Sequence, residues 1–160
     1  MQKERRMKID VSDTLAAAGE AIRIIVADEQ ATDRALVQQA LRRVGFAYEI
    51  REACDAADLD RLLAEVDGHG AHLIMTCLDL PGFGGLEGIR RLKQDPRTRL
   101  TPLIAFFTPA ARVVQQKKLV RDVYEAGANS AIEKSDSIEV YAARLQEAGL
   151  YWGRTVRLPV

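Results

Sequence analysis

At 160 residues the chain is sized for one domain with a single continuous core, and 48% hydrophobic with 29% charged residues are ordinary globular values that suggest neither disorder nor a disulfide scaffold. Lysine plus arginine and aspartate plus glutamate each total 23, a formal net charge of zero, so no basic excess points to nucleic acid. The basic start, residues 1–8, is not followed by an apolar run long enough for a signal peptide or a membrane span, and a cytoplasmic protein without membrane contact is the expectation.

Residues 1–20 read as a leader in which Met7, Val11 and Leu15 have the spacing of a weakly amphipathic short helix. From Ala21 onward, strand-length apolar runs alternate with helical periodicity. The runs are 22–27, 48–53 (the least apolar), 71–77, 102–107 and 129–133. Between and after them Leu36/Ala40/Leu41/Val44, Leu59/Leu62/Leu63/Val66, Leu86/Ile89/Leu92, Val113/Val120/Val123 and Ile138/Tyr141/Leu145 recur near i+3, i+4 and i+7. Gly45, Asp67-Gly68, Pro81-Gly82, Asp95-Pro96 and Gly127 supply turn chemistry at the expected boundaries. Apolar strands interleaved with amphipathic helices predict an α/β fold, a doubly wound five-stranded parallel sheet, with the flavodoxin-like order 2-1-3-4-5 the commonest arrangement. The domain is expected over 21–150, with 151–160 as a C-terminal tail.

In such a sheet, ligands gather at the carboxyl ends of the strands near the point where strand order reverses. The strand ends there deliver Asp28-Glu29, Cys77-Leu78-Asp79, Phe107-Thr108 and Lys134-Ser135. The stretch Leu73-Ile74-Met75-Thr76-Cys77-Leu78-Asp79-Leu80-Pro81-Gly82-Phe83-Gly84-Gly85-Leu86 resembles the third strand and following loop of a response-regulator receiver domain. With the other strand ends, the resemblance spans about residues 22–152. Gly149-Leu150-Tyr151-Trp152-Gly153 is similar to the tail of stand-alone receivers that partner phytochrome-type histidine kinases.

The resemblance implies a role for each strand-end residue, and several depart from the family pattern. The family's phosphate-accepting aspartate stands four residues before the proline and eight before the helix-opening glycine; counted from Pro81 and Gly85, that position is Cys77. A thiol cannot make the acyl phosphate, and a strand-end cysteine reads otherwise as a small buried hydrophobe. Asp28 and Glu29 match the acidic pair that helps hold magnesium in the family, with the Asp79 backbone carbonyl as a further ligand; with sulfur at position 77, magnesium binding is expected to be weak and no cofactor is required. Phe107 stands where a serine or threonine bonds the phosphoryl group, and Ala131 replaces the aromatic switch residue. Lys134 is retained and is expected to pair with Asp28 or Glu29. Ser135 replaces a proline, so its peptide bond is expected to be trans. Cys54 and Cys77 lack the company of a zinc site or a redox pair and are expected as thiols.

The function these residues imply is that of an atypical receiver in two-component phosphorelay signalling, a protein-interaction module without aspartyl phosphorylation and not an enzyme. Its partner would be a histidine kinase, of the phytochrome type that the tail resemblance implies, another regulator, or a second copy joined through the fourth helix, fifth strand and fifth helix. Two alternatives stand beside it: a redox-responsive regulator using Cys77, and a regulator phosphorylated at Asp79. A Gly-rich phosphate loop is missing after the first strand, which weighs against nucleotide binding.

Overall fold

The structure is a computed structural model and describes residues 21–65 and 71–159. The leader of residues 1–20 and the Asp67-Gly68 turn lie outside the described residues. The elements run β1 (Ile22–Ala27), α1 (Ala31–Arg42), β2 (Tyr48–Ala53), α2 (Ala56–Glu65), β3 (Leu73–Cys77), α3 (Leu86–Gln94), β4 (Leu103–Phe107), α4 (Val113–Ala126), β5 (Ser130–Glu133) and α5 (Ile138–Leu150). A single π-helical turn, Tyr151–Thr155, follows α5 without a break. All pairings are parallel and the sheet order is β2-β1-β3-β4-β5, as expected from the sequence.

Side chains alternate along each strand, and this sorts the core into two layers. Ile25, Ala27, Ile74, Leu103, Ala105 and Phe107 face one side, where α2, α3 and α4 bring Leu59, Leu62, Ile89, Leu92 and Val123. Ile24, Val26, Leu73, Met75, Ile104 and Phe106 face the other, against Val37, Ala40 and Leu41 of α1 and Tyr141 and Leu145 of α5. β3 and β4 are buried at every residue, whereas the edge strand β2 exposes Glu49, Arg51 and Glu52, which explains its weak apolar signal.

Two strands start one residue later than the apolar runs suggest, for reasons visible in the ladder. Pro102 has no N–H to donate, so pairing begins at Leu103 although the Pro102 carbonyl still accepts from the Ile74 amide. The Asn129 side-chain oxygen takes the Leu103 N–H at 2.9 Å, and regular β5 pairing starts at Ser130.

The chain end is tied to the amino edge of the sheet. Trp152 Nε1 donates to Ser130 Oγ at 3.3 Å, and Arg154 donates to the Val44 carbonyl at 3.3 Å. Gly149 lets α5 approach α1 so closely that a Cβ there would sit 2.8 Å from Leu41 Cδ2, and Gly153 lies under the Phe46 ring. Among the described residues no helix is long and apolar enough to cross a membrane.

Candidate functional site

The carboxyl ends of β1, β3, β4 and β5 converge as the topology requires. Asp28 follows β1 and is held by its amide, which donates to the Ala53 carbonyl at 3.0 Å. One of its carboxylate oxygens accepts the Gln30 N–H at 2.9 Å; the other accepts from Lys134 Nζ at 2.6 Å. Lys134 follows β5, where its own amide donates to the Phe107 carbonyl at 2.9 Å and keeps the strand end in register.

Lys134 also reaches Asp33 Oδ2 at 2.7 Å, in the first turn of α1. The three side chains are 15% (Lys134), 5% (Asp28) and 23% (Asp33) exposed. Burial acts to lower the Lys134 pKa, but hydrogen bonds to Asp28 and Asp33 more than reverse it, and the ammonium is held above its ordinary range. The sequence expectation that Lys134 pairs with Asp28 or Glu29 is met at Asp28. Glu29 is exposed, and Asp33, one helical turn into α1, takes the second place because its side chain faces the sheet end.

The backbone beside Asp28 is fixed by Arg34 of α1, which donates to the carbonyls of Asp28 at 2.6 Å and Glu29 at 3.1 Å and lies 3.7 Å from Glu52. The guanidinium thereby holds the loop whose acids the sequence singled out.

Cys77 ends β3 opposite Phe106 and is 4% exposed. Burial pushes its thiol up; the Asp79 amide donating to the sulfur and the Lys134 charge pull the other way without cancelling it. Leu78 and Leu80, on either side of Asp79, are buried, while Asp79 itself is exposed on the loop. The loop then opens α3 at Gly85, whose φ of 58° suits a residue without a Cβ.

Phe107 is 4% exposed and packs in the same layer as Ala27, Leu80 and Phe83, so the phenyl ring fills the space above β4 while Thr108 faces solvent. Ala131 is half-buried, and its N–H donates at 3.2 Å to the hydroxyl of Tyr124 on α4. The peptide bond before Ser135 is trans, there being no cis bond among the described residues. Gln116 of α4 accepts the Ala110 N–H at 2.7 Å and donates to Glu133 at 3.2 Å, joining the β4–α4 loop to the end of β5.

Two members of this site escaped the sequence reading. Asp33 fits the ordinary preference for an acid in a helix first turn, and Tyr141 fits the apolar period of α5, so each already had a structural explanation. Tyr141 is 2% exposed, and its hydroxyl has no hydrogen-bond partner among the described residues. Burial raises its pKa; Lys134 lowers it, and Asp33, Asp28 and Cys77 raise it further, which places the phenol among the site charges.

Among the described residues, three side-chain ligand atoms of the kind that hold metals come within 4.8 Å of one another at Cys54, Asp55 and Asp58, not at Asp28, Glu29 and Cys77. The former group is accounted for by the start of α2: Asp55 accepts the Asp58 N–H at 2.7 Å, and Cys54 Sγ donates to Asp58 at 3.0 Å.

Comparison with known proteins agrees with this geometry. The family model described as "Response regulator receiver domain" matches residues 24–146. A "Probable chemotaxis protein CheY" of Rhizobium etli is 25% identical over 127 residues, 79% of this chain and 92% of that protein. A "Gliding motility regulatory protein" of Myxococcus xanthus is 27% identical over 143 residues, 89% of this chain but 17% of that protein. Among solved structures, the phosphorylated cyanobacterial phytochrome response regulator RcpA superposes with a TM-score of 0.76 at 21% identity, covering 88% of this chain and all of that one (100%). The Mn(2+)-bound form of response regulator Rcp1 gives 0.74 at 23%, covering 86% and 99%.

Proposed function

The chain belongs to the family of response regulator receiver domains, and on that premise we propose that it is an atypical receiver, a protein-interaction module of two-component signalling that works without aspartyl phosphorylation and catalyses no reaction of its own. The observation that carries the reading is Cys77, a thiol 4% exposed at the family's acceptor position. Phosphoryl transfer to that position needs a carboxylate oxygen in line with the donor, and sulfur cannot form the acyl phosphate. Phe107, 4% exposed, supports the same reading because its ring takes the room a phosphoryl-binding hydroxyl would leave.

Receiver domains work through histidine kinases and other regulators, and the likeness to RcpA favours a phytochrome-type kinase as the partner here. Exposed apolar side chains on α4 and α5, Val113 at 73%, Val114 at 79% and Ile138 at 62%, favour α4, β5 and α5 as the face that meets the kinase, another regulator or a second copy. The redox reading of Cys77 gains nothing from its environment, since burial pushes the thiol up where a sensor needs a thiolate. Asp79 is exposed on the loop, whereas the Lys134–Asp28 pair is largely buried.

The test is incubation with magnesium and acetyl phosphate followed by intact mass. No adduct is expected. A stoichiometric adduct that survives acid and is lost in base would overturn the reading.

A further inference from the structure

We propose that the Lys134 ammonium is the site's built-in cation, bridging Asp28 and Asp33 and keeping divalent metal out of the acidic pocket. The inference rests on the receiver reading and concerns what replaces the family's magnesium ion in this chain.

The residues present do not fit that ion. Magnesium demands near-octahedral oxygen ligation and keeps its waters tightly. The Asp28 carboxylate, 5% exposed, has one oxygen on the Gln30 N–H and the other on Lys134 Nζ, so a metal would have to share each oxygen with a donor already in place, one of them a cation. Cys77 offers sulfur, which suits softer ions, and Glu29 is exposed. Among the described residues, no three ligating side-chain atoms meet there within the spacing seen at Cys54, Asp55 and Asp58.

Lys134 meets the same electrostatic need from within the chain. Its Nζ lies 2.6 Å from Asp28 and 2.7 Å from Asp33, drawing together residues 106 and 101 positions away in sequence. A divalent ion entering between the same oxygens would meet an ammonium already in hydrogen-bond contact with both, in a pocket with little water to screen the repulsion. A covalently attached cation is present at high effective concentration whatever the metal level outside.

The experiment titrates Mn2+ into the full chain, follows unbound Mn2+ by electron paramagnetic resonance, and repeats thermal melts with and without millimolar Mg2+. The wild-type chain is expected to leave Mn2+ free and to melt at the same temperature with Mg2+ as without. Lys134→Gln frees both carboxylates and should take up Mn2+ about tenfold more tightly than wild type, with a melting temperature that Mg2+ raises; adding Asp33→Asn should abolish that gain. Lys134→Met serves as a second variant of similar length should the glutamine variant not fold. Micromolar Mn2+ uptake by the wild-type chain, or a folded Lys134 variant that takes up no more Mn2+ than wild type, overturns the inference. Phosphorylation is read separately by intact mass: wild type that binds Mn2+ yet stays unmodified sinks the built-in cation and leaves the interaction module standing, whereas a phosphate adduct sinks the module.

Discussion

Lys134 Nζ lies 2.6 Å from Asp28 Oδ2, joining the end of β5 to the end of β1 although β3 and β4 separate those strands in the sheet. The pair therefore ties two non-adjacent strands together at the edge where the family's chemistry takes place. Its partial burial makes it unlike the exposed ion pairs on the helices, such as Lys118–Asp122, which are screened and contribute little.

Removing the ammonium leaves Asp28 buried and charged. Lys134→Met should destabilise the domain by about 3 kcal/mol, the cost of breaking a buried pair from one side. Urea unfolding monitored by circular dichroism measures it. A loss under about 1 kcal/mol would place the pair with the surface bridges.

Stability should fall on the alkaline side. Cys77, Tyr141 and Lys134 all have pKa values raised in the folded state, so each keeps its proton in the native chain after the unfolded chain has lost it. Above an unfolded pKa the native state binds more protons, and unfolding free energy decreases with pH. The contribution is complete below about pH 8.5, where a free thiol begins to titrate, and erodes from there as tyrosine and lysine follow near pH 10. Melting temperatures from pH 7 to 10.5 test the sign, and Cys77→Ala should delay the onset. A melting temperature that rises over this window contradicts the assignment.

Restoring an acceptor carboxylate should not by itself restore phosphorylation. Cys77→Asp puts a third carboxylate near Asp28 and Asp79 while Phe107 still fills the pocket, and labelling by acetyl phosphate should remain poor. Phe107→Thr opens the space and costs about 3 kcal/mol through the cavity it leaves. The double variant should label better than Cys77→Asp alone. Robust labelling of the single variant would count against the steric role of the ring.

The two cysteines should differ in native alkylation. Cys54 is exposed and Cys77 is 4% exposed, so iodoacetamide at neutral pH should modify Cys54 first and reach Cys77 only on unfolding. Both thiols are raised, Cys54 mainly by its hydrogen bond to Asp58 and Cys77 mainly by burial, so Cys54 too should react more slowly than a free thiol. Peptide mass after timed quenching reads both rates. Rapid native modification of Cys77 would revive the redox alternative.

The strands were legible because parallel β-strands covered on both faces leave continuous apolar runs, and 22–27 matches β1 residue for residue; the edge strand β2 matches 48–53 on a weaker signal, since it exposes Glu49, Arg51 and Glu52. The strand ends that form the site followed from the same pattern: Asp28, Cys77, Phe107 and Lys134 all lie where strand boundaries place them. What stayed hidden depends on distances between elements that no spacing encodes. Asp33 is an ordinary first-turn acid until Lys134, from the end of β5, reaches it, and Tyr141 is an ordinary core position until the charges of Lys134, Asp33 and Asp28 are seen to act on its phenol. The π-helical turn at Tyr151–Thr155 was also invisible, since its glycine and aromatic residues read equally well as a loose tail.

Trp152, the sole tryptophan, is fastened to Ser130 at the amino edge of the sheet, while Cys77 and Lys134 stand at the opposite end of strands four to six residues long. At about 3.3 Å per residue, the rise from Ser130 to Lys134 is on the order of 13 Å of rigid ladder between fluorophore and site. The indole is therefore an optical witness to whether the chain is folded, largely blind to an ion or a side-chain exchange at the far edge. Emission from Trp152 and a label at the carboxyl edge would give two independent channels, and a partner that changes both at once must be bending the sheet itself.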